Sequence, residues 1–432
     1  MLKRLLAACT LVLVLIATAP ADAVTIERVI SPGGIEAWLV RDPSNPILAV
    51  EVSFRGGAAL DPAGRSGLAT MTAALLDEGA GPYESQTFQR RLEDRVIGLS
   101  FDAGRDALRG HLKTLTEHRD EAFDLLRLAL TKPRFDAPAI DRIRSQILVG
   151  LMHESESPDH LASRAWFASV FADHPYARSP RGDRESIKAI TVADLRGEVT
   201  RQIARDRLLI GVVGDIEPGE LARLLDATFT ALPERGAPVS LVEARPATHG
   251  QIERIVRAIP QTVATFGLAG LKRDDPDWYA ATVMNHILGG GGFSSRLTES
   301  VRERNGLAYG VWSALIPFDH GGILLGGVAT ESSRFEQSLA LIREEVRRMR
   351  DEGSTETELA NAKTYLNGSF PLGLDSTTAI AQVLVQMQAD HLGLDFLDRR
   401  PALINAVTLA DVRRVAARLL DPEALTLAVV GP

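Results

Sequence analysis

Cysteine is almost absent from this 432-residue sequence. The single cysteine, Cys9, lies within an apolar run at the N-terminus. A chain that loses this run on export has no disulfide bond, no thiolate nucleophile and no cysteine-ligated zinc site. Its stability then has to come from buried apolar cores, and a 45% hydrophobic content over this length is enough to build more than one.

A basic excess is also lacking, since the formal net charge is −8. A nucleic-acid-binding surface needs a basic excess or patch, so the composition argues against nucleic acid as a partner. Beyond the N-terminus no apolar run approaches the roughly 20 residues of a membrane-spanning helix. We therefore expect no stable membrane insertion once the N-terminal run is removed.

The N-terminus has the pattern of a secretory signal peptide. Lys3 and Arg4 precede the apolar run Leu5–Ala19, and a small-residue cleavage site ends at Ala23. This pattern predicts cleavage near Ala23 and a periplasmic protein. A second interpretation, lipidation at the motif Leu6–Cys9, fits less well because this motif precedes most of the apolar run.

The sequence contains an internal repeat. Residues 189–195 (AITVADL) match 406–412 (AVTLADV), and residues 208–214 (LLIGVVG) match 425–431 (LTLAVVG), both at a constant offset of about 217 residues. Each pair predicts a helix with a threonine N-cap followed by a buried strand. Two matches at one offset indicate two similar domains rather than a solenoid.

Both halves combine strand-like runs with long stretches of helical periodicity. Strands are predicted at 47–54, 97–102, 107–112, 262–268, 308–315 and 322–328, and helices at 117–130, 140–156, 333–350 and 356–368. The pattern predicts an α+β protein of two homologous α/β-sandwich domains, each with a mixed or antiparallel sheet flanked by helices. After a signal peptide at 1–23, the predicted domains span 24–232 and 251–432, joined by a proline- and glycine-rich linker at 233–250.

Two stretches carry a family resemblance. The first half contains Gly67–Leu76 (GLATMTAALL), and the second contains Gly289–Leu297 (GGGGFSSRL) followed by Arg302 and Gly306–Tyr309 (GLAY). Together they resemble the M16 family of zinc peptidases (pitrilysin/insulinase-like, including the processing peptidases). The resemblance covers essentially the whole mature chain and implies paired α+β domains with an active site in the cleft between halves.

The resemblance also shows what this chain has lost. Catalytic members have His-x-x-Glu-His, in which two histidines on one helix face bind zinc and the glutamate activates water. Thr70 and Ala74 stand at the histidine positions, Ala73 at the glutamate position, and Gly150 where the third ligand is expected. The chain is thus expected to hold no metal and to be inactive alone.

Other histidines offer no clear substitute for this site. His153 and His160 form the nearest cluster, but their spacing does not suit one helix face, so we interpret them as a polar helix end and loop. His174 belongs to a stretch that resembles the family's His-Pro-Tyr-Gly loop and is interpreted as structural. His286 is interpreted as a packing or helix-end residue, with substrate contact as the alternative.

What remains of the resemblance is a candidate substrate-binding element. Arg302 and Tyr309 resemble the paired Arg/Tyr of the family, in which the tyrosine hydroxyl reaches the scissile carbonyl and the arginine helps to fix the substrate. The alternative is a solvated helix charge and a tyrosine of the strand core. The residues Gly289, Gly290, Gly291, Gly292 and Phe293 lack the Gly-Lys-Ser/Thr ending of a phosphate loop and are interpreted as a hinge or substrate loop.

The resemblance implies a division of labour between two chains. This chain is expected to be the non-catalytic, substrate-binding subunit of a heterodimeric M16 zinc peptidase, with Arg302 and Tyr309 completing a composite site. Zinc is expected in the partner subunit, which carries the intact His-x-x-Glu-His motif, and the substrate is expected to be a peptide held as an extended strand. The alternatives are a non-enzymatic peptide-binding or scaffold protein and, less favoured, an independent enzyme with an unrecognised metal site.

Overall fold

The structure is a computed structural model that describes residues 25–238 and 240–432. The predicted signal peptide at 1–23, which includes Cys9, lies outside the described residues. Among the described residues no helix is both long and apolar enough to cross a membrane.

The described part of the first half opens with three strands and has a run of consecutive helices before its last long strand. The strands are β1 (Glu27–Ile30), β2 (Glu36–Arg41), β3 (Ile47–Arg55), β4 (Gly79–Ala80), β5 (Tyr83–Glu84), β6 (Gly98–Ala103), β7 (Ala107–Leu115) and β8 (Leu208–Gly214). The helices are α1 (Leu68–Leu76), α2 (Ser85–Asp94), α3 (Arg119–Thr131), α4 (Ala137–Glu156), α5 (Pro158–Val170), α6 (Arg184–Ala189), α7 (Val192–Gln202) and α8 (Pro218–Phe229).

Six of these strands form one twisted sheet in the order β1-β2-β8-β3-β7-β6. β3 lies inside the sheet and is buried along nearly its whole length, which explains its almost continuous apolar sequence. β7 instead alternates buried and exposed residues because only one of its faces packs against the helices. The main core of this half lies between that face and the helices.

The second half repeats the scheme. Its strands are β9 (Ile252–Val256), β10 (Gln261–Ala269), β11 (Ala308–Phe318), β12 (Gly321–Glu331) and β13 (Thr426–Gly431). Its helices are α9 (Trp278–Asn285), α10 (Phe335–Glu352), α11 (Glu356–Ser369), α12 (Thr377–Ala389), α13 (Phe396–Asn405) and α14 (Leu409–Leu419).

Apart from the additional edge strand β1 of the first sheet, the two sheets have the same topology. The second sheet has the order β11-β12-β10-β13-β9, with β13 parallel to β9 and antiparallel to β10. In the first sheet β8 is likewise parallel to β2 and antiparallel to β3. The predicted fold class, paired α/β sandwiches, is confirmed, and the common topology supports the internal duplication that the repeat indicates.

The repeated segments adopt the predicted local structure. Thr191 and Thr408 are the N-caps of α7 and α14, and each hydroxyl accepts a hydrogen bond of 3.2 Å from the backbone N–H three residues later. The aspartate at that position, Asp194 or Asp411, returns a bond to the backbone N–H of the cap, so both helices begin with a capping box. The strands that follow, β8 and β13, are largely buried as predicted.

The halves exchange a helix. α5 packs on β13 and β10 of the second sheet, while α12 packs on β8 and β3 of the first. The Trp166 indole N–H donates to the Thr426 carbonyl at 3.0 Å, and the Gln388 amide donates to the Ile210 carbonyl at 2.9 Å. Each sheet therefore has one face covered by its own helices and the other partly covered by a helix of the opposite half.

The stretch between α8 and β9 packs against both halves. The backbone N–H of Ala244 bonds to the carbonyl of His320, and that of Ala247 bonds to the carbonyl of Val170. The predicted linker at 233–250 thus makes backbone contacts with the β11–β12 turn and with the end of α5. The domain limits 24–232 and 251–432 stay a prediction from the sequence, since the exchanged helices cross them.

Candidate functional site

Helix α1 carries the positions of the degenerate zinc motif. The helix begins after Gly67, whose φ of 88° lies in the left-handed region. The buried carboxylate of Asp61 accepts hydrogen bonds from the backbone N–H groups of Gly67 at 2.7 Å and Ala69 at 2.9 Å. Burial raises the pKa of Asp61 to about 6, and these bonds oppose the rise. This carboxylate fixes the start of α1 and is unavailable to a metal.

The motif positions themselves have been absorbed into packing. The Thr70 hydroxyl donates to the carbonyl of Pro180 at 2.6 Å. Ala73 is fully buried in the main core of the first half, and Ala74 packs against the same core. No group at these three positions is able to activate water, and only the oxygen of Thr70 retains a lone pair.

A cation lies at Gly150, the predicted position of the third ligand. A Cβ placed on Gly150 would lie 2.6 Å from Nη2 of Arg181. The guanidinium of Arg181 in turn forms an ion pair with Glu154, one turn further along α4. A positive charge here repels a second cation. The electrostatics of the site therefore oppose zinc binding, in addition to the lack of suitable ligands.

No alternative metal cluster appears among residues 25–238 and 240–432. No group of three or more His, Cys, Asp or Glu side chains in this part of the chain is arranged to hold a metal ion. His174 instead accepts from the backbone N–H of Tyr176 through Nδ1, and its Nε2 lies 3.1 Å from the Val242 carbonyl. The interpretation of His174 as a structural residue agrees with this geometry.

The Arg/Tyr element forms an exposed cluster with a third residue. The guanidinium carbon of Arg302 lies 5.4 Å from the ring centroid of Tyr309 and 4.7 Å from that of Phe293. The tyrosine is 85% exposed and the phenylalanine 72% exposed. Besides these rings, the Arg302 guanidinium lies 3.3 Å from the carboxylate of Glu303. The cluster is thus an arginine between two solvent-facing aromatic rings, a geometry that cation–π attraction stabilises.

Local backbone irregularities place these side chains. Arg302 lies in a π-helical segment, Thr298–Arg304. Tyr309 lies at a β-bulge of β11, where Ala308 and Gly310 pair with consecutive residues of β12 and Tyr309 pairs with none. A bulge re-aims a side chain, and a π-helical turn often accompanies a functional site. The tyrosine of the strand core, the alternative weighed from the sequence, does not fit an 85% exposed side chain.

The glycine-rich stretch is packed more closely than a hinge requires. A π-helical turn spans His286–Gly290, and a Cβ added at Gly289 or Gly291 would clash, with Ser313 and with His286 respectively. Gly292 has a φ of 58° and open space around it, so its backbone conformation is what requires glycine there. The stretch positions Phe293 at its exposed tip, next to Arg302.

His286 contacts a residue that the sequence did not single out. Its ring stacks on Tyr365 of α11 with centroids 4.8 Å apart and an interplanar angle of 26°. Burial lowers the pKa of His286, so the ring is neutral at pH 7. The stacking on Tyr365 agrees with the interpretation of His286 as a packing residue.

The two candidate regions are not joined within this chain. Among the described residues no hydrogen bond or ion pair links α1 to Arg302 or Tyr309. The sequence did not predict two features of these regions: the contact between Phe293 and Arg302, and the position of the Arg181 guanidinium over Gly150. Arg181 comes directly after Pro180, whose carbonyl accepts the hydrogen bond of Thr70. The loop that begins at His174 was therefore the part of the sequence that could have pointed to this cation.

A further cavity lies between the halves. It has a volume of about 610 Å³ and is lined by charged residues from both, including Arg55, Arg109, Asp106, Asp319 and Asp390. Burial raises the pKa values of Asp106 and Asp390, and the nearby Asp319 carboxylate raises both further. No sequence pattern pointed to this cavity because its residues come together only when the halves pack.

Comparison with known proteins agrees with this geometry. Residues 189–366 match the family model described as the peptidase M16 inactive domain. The chain is 27% identical to a Helicobacter pylori protein named non-peptidase homolog YmxG, over 89% of both chains. A crystal structure of a peptidase M16 inactive domain from Pseudomonas fluorescens has a TM-score of 0.88 and 28% identity, covering 94% of this chain and 98% of that one. The chain is thus similar to M16 proteins over nearly its whole length, and residues 189–366 match the family model itself.

Other M16 relatives carry different names. A Mycobacterium bovis protein described as an uncharacterized zinc protease is 26% identical over 96% of this chain and 94% of the relative. At 15% identity and a TM-score of 0.76, a chain of complex III from Candida albicans shares the fold. Threonine and alanine at the predicted histidine positions and a cation over Gly150 are consistent with the match of residues 189–366 to the inactive domain of the family.

Proposed function

We propose that this chain is the substrate-binding subunit of a heterodimeric M16 zinc peptidase. It supplies Arg302 and Tyr309 to a composite active site, and a partner chain with an intact His-x-x-Glu-His motif supplies the zinc. The single observation that carries the proposal is the cluster of Arg302, Tyr309 and Phe293, a half-buried arginine between two exposed aromatic rings on a chain whose predicted metal positions are filled.

The chemistry of the cluster suits a peptide in the act of cleavage. A phenol O–H donates to the oxyanion that develops on a scissile carbonyl, and a guanidinium holds a carbonyl or carboxylate of the substrate. Tyr309 lies on β11, the outer strand of the second sheet, whose far edge has no partner strand among the described residues. An extended peptide that pairs with this edge would pass close to the tyrosine hydroxyl.

The export of the chain belongs to the same proposal. A signal peptide at 1–23 with cleavage near Ala23 would deliver the chain to the periplasm, where it would meet its zinc-bearing partner. The proposed domains, 24–232 and 251–432, would then form one half of a peptide-enclosing chamber.

The test is peptidase activity of the purified mature chain, alone and mixed with a zinc-motif M16 protein from the same organism. We expect hydrolysis of a quenched fluorescent peptide only in the mixture. Loss of one oxyanion donor lowers kcat by roughly a hundredfold or more, so Tyr309→Phe should have a large effect in kcat and a small one in KM. The matched controls are Tyr365→Phe, an exposed tyrosine of the same half, and Arg304→Ala, an exposed arginine of the same π-helical segment.

A non-enzymatic peptide-binding or scaffold role is the second candidate. The name non-peptidase homolog, borne by the Helicobacter pylori relative, favours it. Under this alternative the mixture has no more activity than the partner alone, and Tyr309→Phe changes neither activity nor assembly. The same experiment therefore separates the two functions.

A further inference from the structure

A small pocket adjoins the degenerate zinc position. It has a volume of about 170 Å³ and lies between the C-terminal end of α4, the first turns of α5 and the segment 177–180. Two of its residues belong to the contacts already described. Pro180 accepts the hydrogen bond of Thr70, and Glu154 forms the ion pair with Arg181 over Gly150. The pocket is therefore built directly beside the place where catalytic M16 members hold their metal.

The side chains around this pocket are rich in positive charge. Arg105 and Arg164 line it together with Glu154, the only carboxylate of the lining. That carboxylate is already paired with Arg181, which stands at the edge of the same site. The two lining guanidiniums consequently have no carboxylate of their own in the pocket.

Arg105 is a desolvated cation without an ion-pair partner. No described carboxylate lies within ion-pair distance of it; its guanidinium stacks on the ring of Phe167 at 3.9 Å and its Nε donates a long bond of 3.4 Å to the Tyr176 carbonyl. Burial lowers the pKa of Arg105 to about 10, opposed by the neighbouring charge of Asp106. Arg105 is half-buried, and a partly desolvated charge without a counter-ion is costly; an anionic ligand offsets that cost.

Free donors surround the same space. Arg164 makes no hydrogen bond or ion pair with any described residue, although the carboxylate of Asp183 attracts it at longer range. The hydroxyl of Ser179 accepts from the backbone of Arg181 and keeps its own proton free. Ser163 also lines the pocket and makes no hydrogen bond with a described residue. Two guanidinium groups, of half-buried Arg105 and exposed Arg164, and two hydroxyl groups thus line one space, where an acceptor-rich group could bond to them.

The size of the pocket limits its occupant. Sites for drug-sized ligands occupy about 300–1,000 Å³, whereas a water molecule takes about 30 Å³ of liquid volume. The pocket therefore fits a small anionic group and excludes a nucleotide or a folded partner element. Its cationic lining equally excludes a metal ion.

We propose that this pocket binds the C-terminal carboxylate of a peptide, with Arg105 and Arg164 as its charged donors. The proposal rests on the peptide-binding function proposed above, and it adds a class of substrate: peptides with a free C-terminus near the bound segment. A planar carboxylate matches the fork of a guanidinium, and each charge-assisted bond is about twice as strong as a neutral one.

The test compares a free acid with its amide on the full mature chain. Calorimetric titrations use N-acetyl-alanine, N-acetyl-alaninamide and inorganic phosphate, followed by one fluorescent ten-residue peptide as free acid and as C-terminal amide. We expect the acid to bind at least about tenfold more tightly than the amide, a ratio that one charge-assisted bond supplies. Arg164→Gln should abolish the preference, and Arg105→Lys, which keeps the charge, should weaken it without unfolding the protein.

The control variant is Arg90→Gln, an exposed arginine of α2 that does not line the pocket, and it should retain the preference in full. Equal affinity for acid and amide overturns the proposal but leaves peptide binding intact if the ten-residue peptide still binds in both forms. Phosphate binding as tight as that of the acid also overturns it, in favour of an inorganic-anion site. The activity of the mixture with the zinc-bearing partner judges the proposed function separately.

Discussion

The guanidinium of Arg181 occupies the space into which a side chain at Gly150 would project, with Nη2 only 2.6 Å from a Cβ built on the glycine. The loss of the metal site therefore involves more than missing ligands. Arg181, paired with Glu154, lies over Gly150, the position at which the family resemblance predicts a carboxylate ligand. The pocket beside it is lined by two further cations, Arg105 and Arg164.

Restoring the ligands alone should not restore zinc binding. In the triple variant Thr70→His, Ala74→His and Gly150→Glu, we expect the new carboxylate to pair with Arg181 instead of a metal. Adding Arg181→Leu should free it and strengthen zinc binding at least about tenfold, since removal of a nearby like charge and of a competing ion pair both favour the metal. Zinc titration against a chromophoric chelator measures the difference. Equal affinity with and without Arg181 would contradict this electrostatic explanation.

The ring of Phe293 should orient Arg302 for its partner chain's chemistry. An exposed cation–π contact contributes about 0.5–1 kcal/mol, so Phe293→Ala should lower kcat/KM of the mixed enzyme roughly two- to fivefold, with Phe293→Leu close behind because it also lacks the aromatic face. Phe293→Tyr keeps the face and should retain activity. A Phe293→Ala loss as large as that of Arg302→Ala would instead mean that the ring contacts substrate itself.

Two glycine substitutions should have opposite effects on stability. At Gly267 a Cβ would lie 2.5 Å from the Trp166 ring and 2.8 Å from the Leu324 carbonyl, so Gly267→Ala should cost about 1–3 kcal/mol of unfolding free energy. At Gly150 the atom in the way ends a flexible side chain, and alanine favours α4 by about 0.5–1 kcal/mol. Urea denaturation of both variants gives the comparison. A destabilised Gly150→Ala would show that Arg181 is held rigidly.

Stability should fall as the pH rises through the titration of Glu198. Burial raises the pKa of this carboxyl from 4.5 to about 7, with Arg201 opposing the shift and Asp61 adding to it. The folded state then binds a proton that the unfolded state has already released, so the contribution is complete below about pH 4.5 and is lost as the pH rises to about 7. The loss is on the order of 3 kcal/mol.

Glu198→Gln isolates this contribution from that of Asp61, whose raised pKa acts in the same direction. The variant should be less sensitive to pH between 5 and 8 and more stable than the parent chain at pH 8, as measured by denaturant unfolding. If the parent and the variant have parallel pH profiles, the carboxylate of Glu198 is ionised in the folded chain throughout this range.

Much of the architecture follows from the sequence alone. The repeat at 189–195 and 406–412 identified two capped helices, since a threonine cap and its aspartate act within one turn. Continuous apolar runs such as 47–54 identified the central strands because a strand buried on both faces needs no polar alternation. The absence of the zinc ligands also follows from the sequence, because the amino-acid type alone decides whether a side chain has a lone pair that can bind zinc.

Other features depended on contacts between distant parts of the chain, which periodicity does not encode. The exchange of α5 and α12 brings Trp166 to Thr426 across the seam of the two halves. Likewise, only folding places Arg181 over Gly150 and brings Arg105 and Arg164 into one pocket. In an extended chain these charges are solvated and interact weakly. Their electrostatic effect becomes large only when burial removes their water. The residue types at positions 70, 73 and 74 determined that the zinc motif is missing. The tertiary packing decided that the guanidinium of Arg181 lies over Gly150, the predicted position of the third ligand.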